Sequence, residues 1–229
     1  MAEKNILVVA AHPDDEVLGC GGAVRKLLMD GCKVDCLILA EGLTSRVKER
    51  DEMPEDKLNE LRKNAHDAAK IIGFDNLFFE NFPDNRMDSV DLLEVIQVIN
   101  GYVEQLRPQV IFTHHHGDLN IDHRITYQAT LTACRPLEGS PVKEIYSFQV
   151  PSSTEWNFPY HRNVFSPNMF VDITKTIEEK IAAMACYESE SRKPPHPRSG
   201  ESLRAIAAQW GSVVGVRFAE AFETIYRIM

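Results

Sequence analysis

The chain has 229 residues, 44% of them apolar and 26% charged, which is the balance of a globular protein with a sizeable core. One domain over residues 1–229 is expected, because α/β domains often exceed 200 residues. The formal net charge of −9 argues against a general nucleic-acid surface, which needs clustered Lys and Arg; one local Arg would still suffice for an anionic small molecule.

Ile6-Leu7-Val8-Val9-Ala10 is a continuous apolar run, as in a strand covered on both faces. It ends in Ala11-His12-Pro13-Asp14-Asp15-Glu16. Helical spacing follows through Val17, Leu18, Val24, Leu27 and Leu28, and Gly31 stops it. Lys33 to Ala40 is a second buried strand, so the opening is a βαβ unit. The alternation repeats: a helix from Leu58 to Ile72 stopped by Gly73, a short strand at Leu77-Phe78-Phe79, a helix from Leu92 to Leu106, and a strand at Val110 to Thr113. Later segments are strands at Ile145 to Phe148 and Met169 to Asp172, a helix from about Thr174 to Glu188, a further helix, and a strand at Ala221 to Tyr226. This order predicts an α/β fold: a Rossmann-like, doubly wound, mostly parallel sheet with helices on both faces. Gly42 to Pro54, Val150 to Pro167 and Ser189 to Gly200 read as loops long enough to wall a site.

The five cysteines are odd in number and unpaired in spacing, and read as free thiols of a reducing cytosol. The first apolar run is too short for a signal-peptide core, and nothing approaches a membrane-spanning length. A cytoplasmic location is expected.

Parallel sheets bind ligands at the carboxyl ends of their strands. Two polar clusters fall there: His12 to Glu16 after the first strand, and His114 to Arg124 after the fourth. They would share one crevice if the sheet order reverses beside the first strand. His12 and Asp15, three apart at a loop-to-helix turn, offer two of the three ligands of a catalytic zinc site. A histidine of the second cluster would supply the third. Asp14 points elsewhere and could act as base toward water activated at the metal. The plainer alternative is a helix cap by Asp14 or Asp15. His114, His115 and His116 are adjacent, so at most one or two can face one site. Gly19-Cys20-Gly21-Gly22 does not fit a dinucleotide fingerprint and is read as close packing. No Gly-x-x-x-x-Gly-Lys phosphate loop and no serine elbow is present.

Ala11-His12-Pro13-Asp14-Asp15-Glu16 with Gly19 and Gly21-Gly22, followed by Gly117-Asp118-Leu119-Asn120-Ile121-Asp122-His123-Arg124, resembles the paired motifs of the PIG-L/LmbE family over most of the chain. The resemblance implies zinc-dependent removal of N-acetyl groups from glucosamine-type sugars, with one Zn²⁺ per chain. It implies His12, Asp15 and His123 as metal ligands, Asp14 as general base, and Arg46 in a loop next to substrate. Many members carry His-Pro-Asp-His where this chain reads Asn120-Ile121-Asp122-His123. Asn120 can donate a hydrogen bond to an oxyanion but cannot deliver a proton. The general acid is therefore open among His116, His115, His196 and Asp14. Substrate contact is assigned to Arg46, Asn120 and His116. Trp156, Phe158 and Tyr160 could stack on a sugar ring or pack elsewhere. The tail, Pro195 to Ser199 and Ala219 to Phe222, also resembles a subset of the family and is read as a pocket wall. The expected partner is a small N-acetyl amino sugar or conjugate, and a homo-oligomer is compatible with the sequence. The alternatives are a metal-dependent hydrolase of another amide or ester, and a non-catalytic sugar or nucleotide binder.

Overall fold

The computed structural model describes residues 4–158 and 163–228. Seven strands form one sheet: β1 (Asn5–Ala10), β2 (Lys33–Ala40), β3 (Asn76–Phe82), β4 (Val110–His114), β5 (Glu144–Phe148), β6 (Met169–Asp172) and β7 (Ala219–Arg227). Their order is β3-β2-β1-β4-β5-β7-β6. Neighbours from β3 to β5 run parallel, and β7 pairs antiparallel with both β5 and β6. The predicted α/β, doubly wound, mostly parallel sheet is the fold observed. The order reverses between β1 and β4, which opens the crevice expected at their carboxyl ends.

Among the described residues, six α-helices cover the sheet: α1 (Asp15–Met29), α2 (Glu55–Ile72), α3 (Leu92–Leu106), α4 (Ile121–Ala133), α5 (Ile177–Ala185) and α6 (Gly200–Val214). Alternate residues of the buried strands feed two cores. Ile6, Val8 and Ala10 of β1 meet side chains of α1, α2 and α5 on one face, while Leu7 and Val9 meet α3 and α4 on the other. Gly73 ends α2 at φ 99, a left-handed angle that glycine adopts without steric cost.

Two departures from the sequence reading have causes in hydrogen bonding. The helix expected from Thr174 to Glu188 is limited to Ile177–Ala185. Asp172 Oδ1 takes the Thr174 N–H, and the Thr176 hydroxyl donates to Gly22 O, so both residues serve a turn. The strand at Leu77-Phe78-Phe79 extends to Asn76–Phe82, because backbone pairing with β2 continues past the apolar residues.

The Gly19–Gly22 stretch lies inside α1 and packs closely. A Cβ on Gly19 would sit 2.3 Å from Phe148 Cδ2 of β5, and one on Gly22 would sit 3.0 Å from Ile173. A buried pair reaches the same stretch from outside. Glu220 of β7 accepts from Gly22 N at 3.1 Å and Ala23 N at 2.6 Å, while Lys180 of α5 donates to Leu18 O at 2.8 Å and pairs with Glu220. Leu18 O is the ordinary acceptor for Gly22 N–H, so the pair supplies partners at one rung of the helix. All five cysteines are free thiols, and all but Cys186 are buried. No described helix is long and apolar enough to cross a membrane.

Candidate active site

The two sequence clusters meet at the β1–β4 reversal. Ala11 N donates to His114 Nε2 at 2.8 Å, joining the strand ends directly. Past that bond, three side chains close a triangle. His12 Nδ1 lies 3.2 Å from Asp15 Oδ2 and 3.3 Å from His123 Nε2, and His123 Nε2 lies 3.3 Å from Asp15 Oδ2. Tetrahedral ligands at about 2.0–2.1 Å from zinc stand about 3.3 Å apart, so the triangle has the edge length that such an ion requires. Two imidazoles and one carboxylate are also a known catalytic donor set for zinc. Asp15 Oδ1 is buried with no hydrogen-bond partner, a deficit that a cation would relieve.

Carboxylates behind the triangle fix which nitrogen faces inward. His12 Nε2 donates to Asp122 Oδ2 at 3.0 Å and lies 3.3 Å from Asp84 Oδ1, leaving Nδ1 free as a ligand atom. Asp122 is held by the backbone N–H groups of Asn85 (2.6 Å) and Met87 (3.0 Å). His123 Nδ1 stands 3.1 Å from Asp118 Oδ1, close but poorly aligned for a hydrogen bond. Asp118 in turn accepts from Ser153, from Thr154 Oγ1 at 2.6 Å and from Asn120 N at 2.9 Å. His114 stacks on His123 with ring centroids 4.0 Å apart.

The carboxylates around the triangle govern the protonation of its imidazoles. Burial alone would depress the His12 and His123 imidazoles. Asp122 and Asp15 beside His12, and Asp15 and Asp118 beside His123, outweigh it; His12 ends well above the usual histidine value and His123 at about 9. Burial raises Asp15, but His123, His114 and His12 bring it well below the carboxylate range. His114, buried and next to His123, is pushed down to about 3 and stays neutral.

Asp14 occupies the N-cap of α1 at φ 110, and its side chain makes no capping bond, so the helix-cap alternative does not describe it. Its carboxylate instead accepts from Arg198 Nη1 at 2.6 Å, and its backbone N–H donates to Glu16 Oε2 at 3.0 Å. Tyr187 Oη donates to the other Glu16 oxygen at 2.6 Å. Burial pushes the Asp14 carboxyl well above the ordinary range, and Arg198 opposes this only in part. Burial also lifts Glu16 to about 7 against the Tyr187 hydrogen bond.

The pocket beside the triangle is lined by His12, Asp14, Arg46, Asp84, Asn85, Asn120, His123, Glu190 and Arg198, among others. Arg46 and Asn120 therefore reach it. Asn120 Oδ1 caps α4 through Asp122 N at 2.8 Å and Nδ2 donates to Asn85 Oδ1 at 2.8 Å, which leaves one amide N–H for a ligand. His116 lies outside this lining. It is exposed, and with His115 and Glu223 forms a separate group. His115 is occupied by Glu223 (2.7 Å) and Asn163 O (3.2 Å). His196 sits edge-on to Trp156 and accepts from Arg198 N. Phe158 is exposed, and Tyr160 falls outside the described residues. Sequence reasoning did not single out Asp84, Asn85, Asp118, Glu190 or Arg198. The tail motif Pro195 to Ser199 was the one available signal for Arg198.

Comparison with known proteins gives the family and the fold. The family model described as GlcNAc-PI de-N-acetylase, PIG-L, matches residues 7–134. The chain is 28% identical over 192 residues to the uncharacterized deacetylase YaiS of Escherichia coli, covering 81% of this chain and 91% of that protein. It is 29% identical over 208 residues to the 4-oxalmesaconate hydratase of Pseudomonas putida, covering 82% and 74%. The N,N′-diacetylchitobiose deacetylase of Pyrococcus horikoshii superposes with a TM-score of 0.77 at 22% identity, covering 98% and 85%, which is a likeness of fold.

Proposed function

The chain belongs to the PIG-L family, and on that footing we propose that it is a zinc-dependent hydrolase removing the N-acetyl group from an N-acetylated amino sugar or its conjugate, with release of acetate. The observation that carries this reading is the His12–Asp15–His123 triangle with Asp14 beside it. His12, Asp15 and His123 would hold one zinc ion, which when bound polarises an amide carbonyl and makes a water acidic near neutral pH.

The chain's own groups do the rest. Asp14 accepts a proton from the attacking water. Glu16 holds its backbone and Arg198 its carboxylate, so the base is presented to the pocket in one orientation. The free N–H of Asn120 donates to the developing oxyanion. The leaving amine needs a proton, and of the four groups left open by the sequence, only Asp14 lines the pocket. Asp14 therefore returns the proton it took. We read the protein as a single-domain cytoplasmic enzyme over residues 1–229.

The test is acetate release from N-acetylglucosamine derivatives. Metal-loaded protein should give equal amounts of acetate and free amine, a chelator should abolish both, and added Zn²⁺ should restore them. Turnover without acetate would favour another amide, an ester or a hydration like that in the name of the Pseudomonas relative. Binding without turnover would favour the binder.

A further inference from the structure

Both arginines of the pocket are engaged by one carboxylate. Glu190, in the connection between α5 and α6, accepts from Arg46 Nη2 on Oε1 and from Arg198 Nη1 on Oε2 at 3.3 Å. Ser189 Oγ donates to the same Oε1 at 2.9 Å. The Glu190 side chain is 11% exposed and that of Arg198 19%, so this is a built contact within the pocket wall. Arg198 Nη1 also donates to Asp14 Oδ2 at 2.6 Å, and its Nε donates to Ser152 Oγ at 2.8 Å. A guanidinium fork is the side chain best matched to a carboxylate or phosphate. Two such forks converge here, and the space between them is taken by a carboxylate of the protein itself. The described lining then carries Asp14, Asp84 and Glu190 against Arg46 and Arg198, with no cationic excess among its carboxylates and guanidiniums.

We propose that Glu190 is a specificity-determining residue: it fills the anion position between Arg46 and Arg198 and restricts the pocket to N-acetyl sugars and conjugates that are uncharged at that end. A phosphorylated or carboxylated sugar must displace Glu190 or sit beside it, and either course costs it the arginines that would otherwise bind it. The inference rests on the deacetylase reading of this pocket.

The test compares kcat/KM for N,N′-diacetylchitobiose and N-acetylglucosamine 6-phosphate, using zinc-loaded wild type, Glu190→Gln and Glu190→Gln/Arg46→Gln. Loss of Glu190 also loosens Arg198 beside Asp14, so absolute rates fall for both substrates and the ratio is the readout. Wild type should favour the neutral sugar. Glu190→Gln should move the ratio toward the phosphate by up to roughly fivefold, the size expected of one freed ion pair, and the added Arg46→Gln should cancel most of that gain. A wild-type preference for the phosphate, or a ratio unmoved by Glu190→Gln, overturns the proposal. Calorimetric titration with glucose 6-phosphate and glucose reads the same position without turnover. Glu190→Gln should gain affinity for the phosphate alone, and equal affinity in the two proteins overturns the proposal. A calorimetric gain with no acetate released from any sugar supports the anion position and counts against the deacetylase reading.

Discussion

Asp14 is held at φ 110, a region that costs a non-glycine residue about 1–3 kcal/mol and persists only where neighbours over-determine it. Glu16, Tyr187 and Arg198 are those neighbours. Asp14→Asn keeps the shape and removes the proton acceptor. It should retain zinc and lose turnover by about 10²-fold or more, checked by metal content and acetate release; a near wild-type rate would remove Asp14 from the role of base. Asp122 acts one step back, on the far nitrogen of His12. Asp122→Ala should weaken zinc binding about 10–100-fold in a chelator competition, and unchanged affinity would mean that His12 needs no orienting carboxylate. That His12, Asp14, Asp15 and His123 come together was legible because each motif is local and its residue types are those of a metal site. Asp118 and Asp122 stood in the same stretch, but their task depends on a loop folding back under the imidazoles. Arg198 was not legible as a partner of Asp14, since 184 positions separate them and no periodicity spans that distance.

Among the elements, helix α1 depends on a small residue. Gly19 lets it lie on β5, and Gly19→Ala would drive a Cβ to 2.3 Å from the Phe148 ring. Overpacking of this kind costs about 1–3 kcal/mol, so the urea midpoint of Gly19→Ala should fall; an unchanged midpoint would show that Phe148 can turn aside. The strand from Lys33 to Ala40 and the stop at Gly73 coincide with the sequence reading, because burial on both faces and a left-handed terminus leave strong local marks. The start of α5 and the end of β3 did not, since a turn bond at Asp172, the tertiary bond of Thr176 to Gly22 and pairing with β2 decide them. The reversed direction of β7 has no local mark either. An apolar run reads the same along a parallel and an antiparallel neighbour.

Across the whole molecule, the beginning and end of the chain are tied at β5. Burial would raise Glu144, but Lys4 Nζ at 2.6 Å and Tyr146 Oη at 2.7 Å outweigh it, and Glu144 titrates below its ordinary value. A carboxylate depressed on folding stabilises the native state above its unfolded pKa of about 4.3, and that contribution disappears as pH falls through the folded value. Glu144→Gln should therefore be less stable than wild type at pH 7, and the gap should narrow below about pH 4; a constant gap in denaturant titrations would rule this out. The matched segment, residues 7–134, contains every ligand of the triangle yet not the support of the helix that begins at Asp15. The backbone groups of Leu18, Gly22 and Ala23 take side-chain partners from beyond that segment, Lys180 and Glu220. Severed after the family segment, the chain would lose those bonds one turn from a ligand. The metal-binding half and the final strand are thereby coupled, and damage to β7 should register as a weakened grip on the ion.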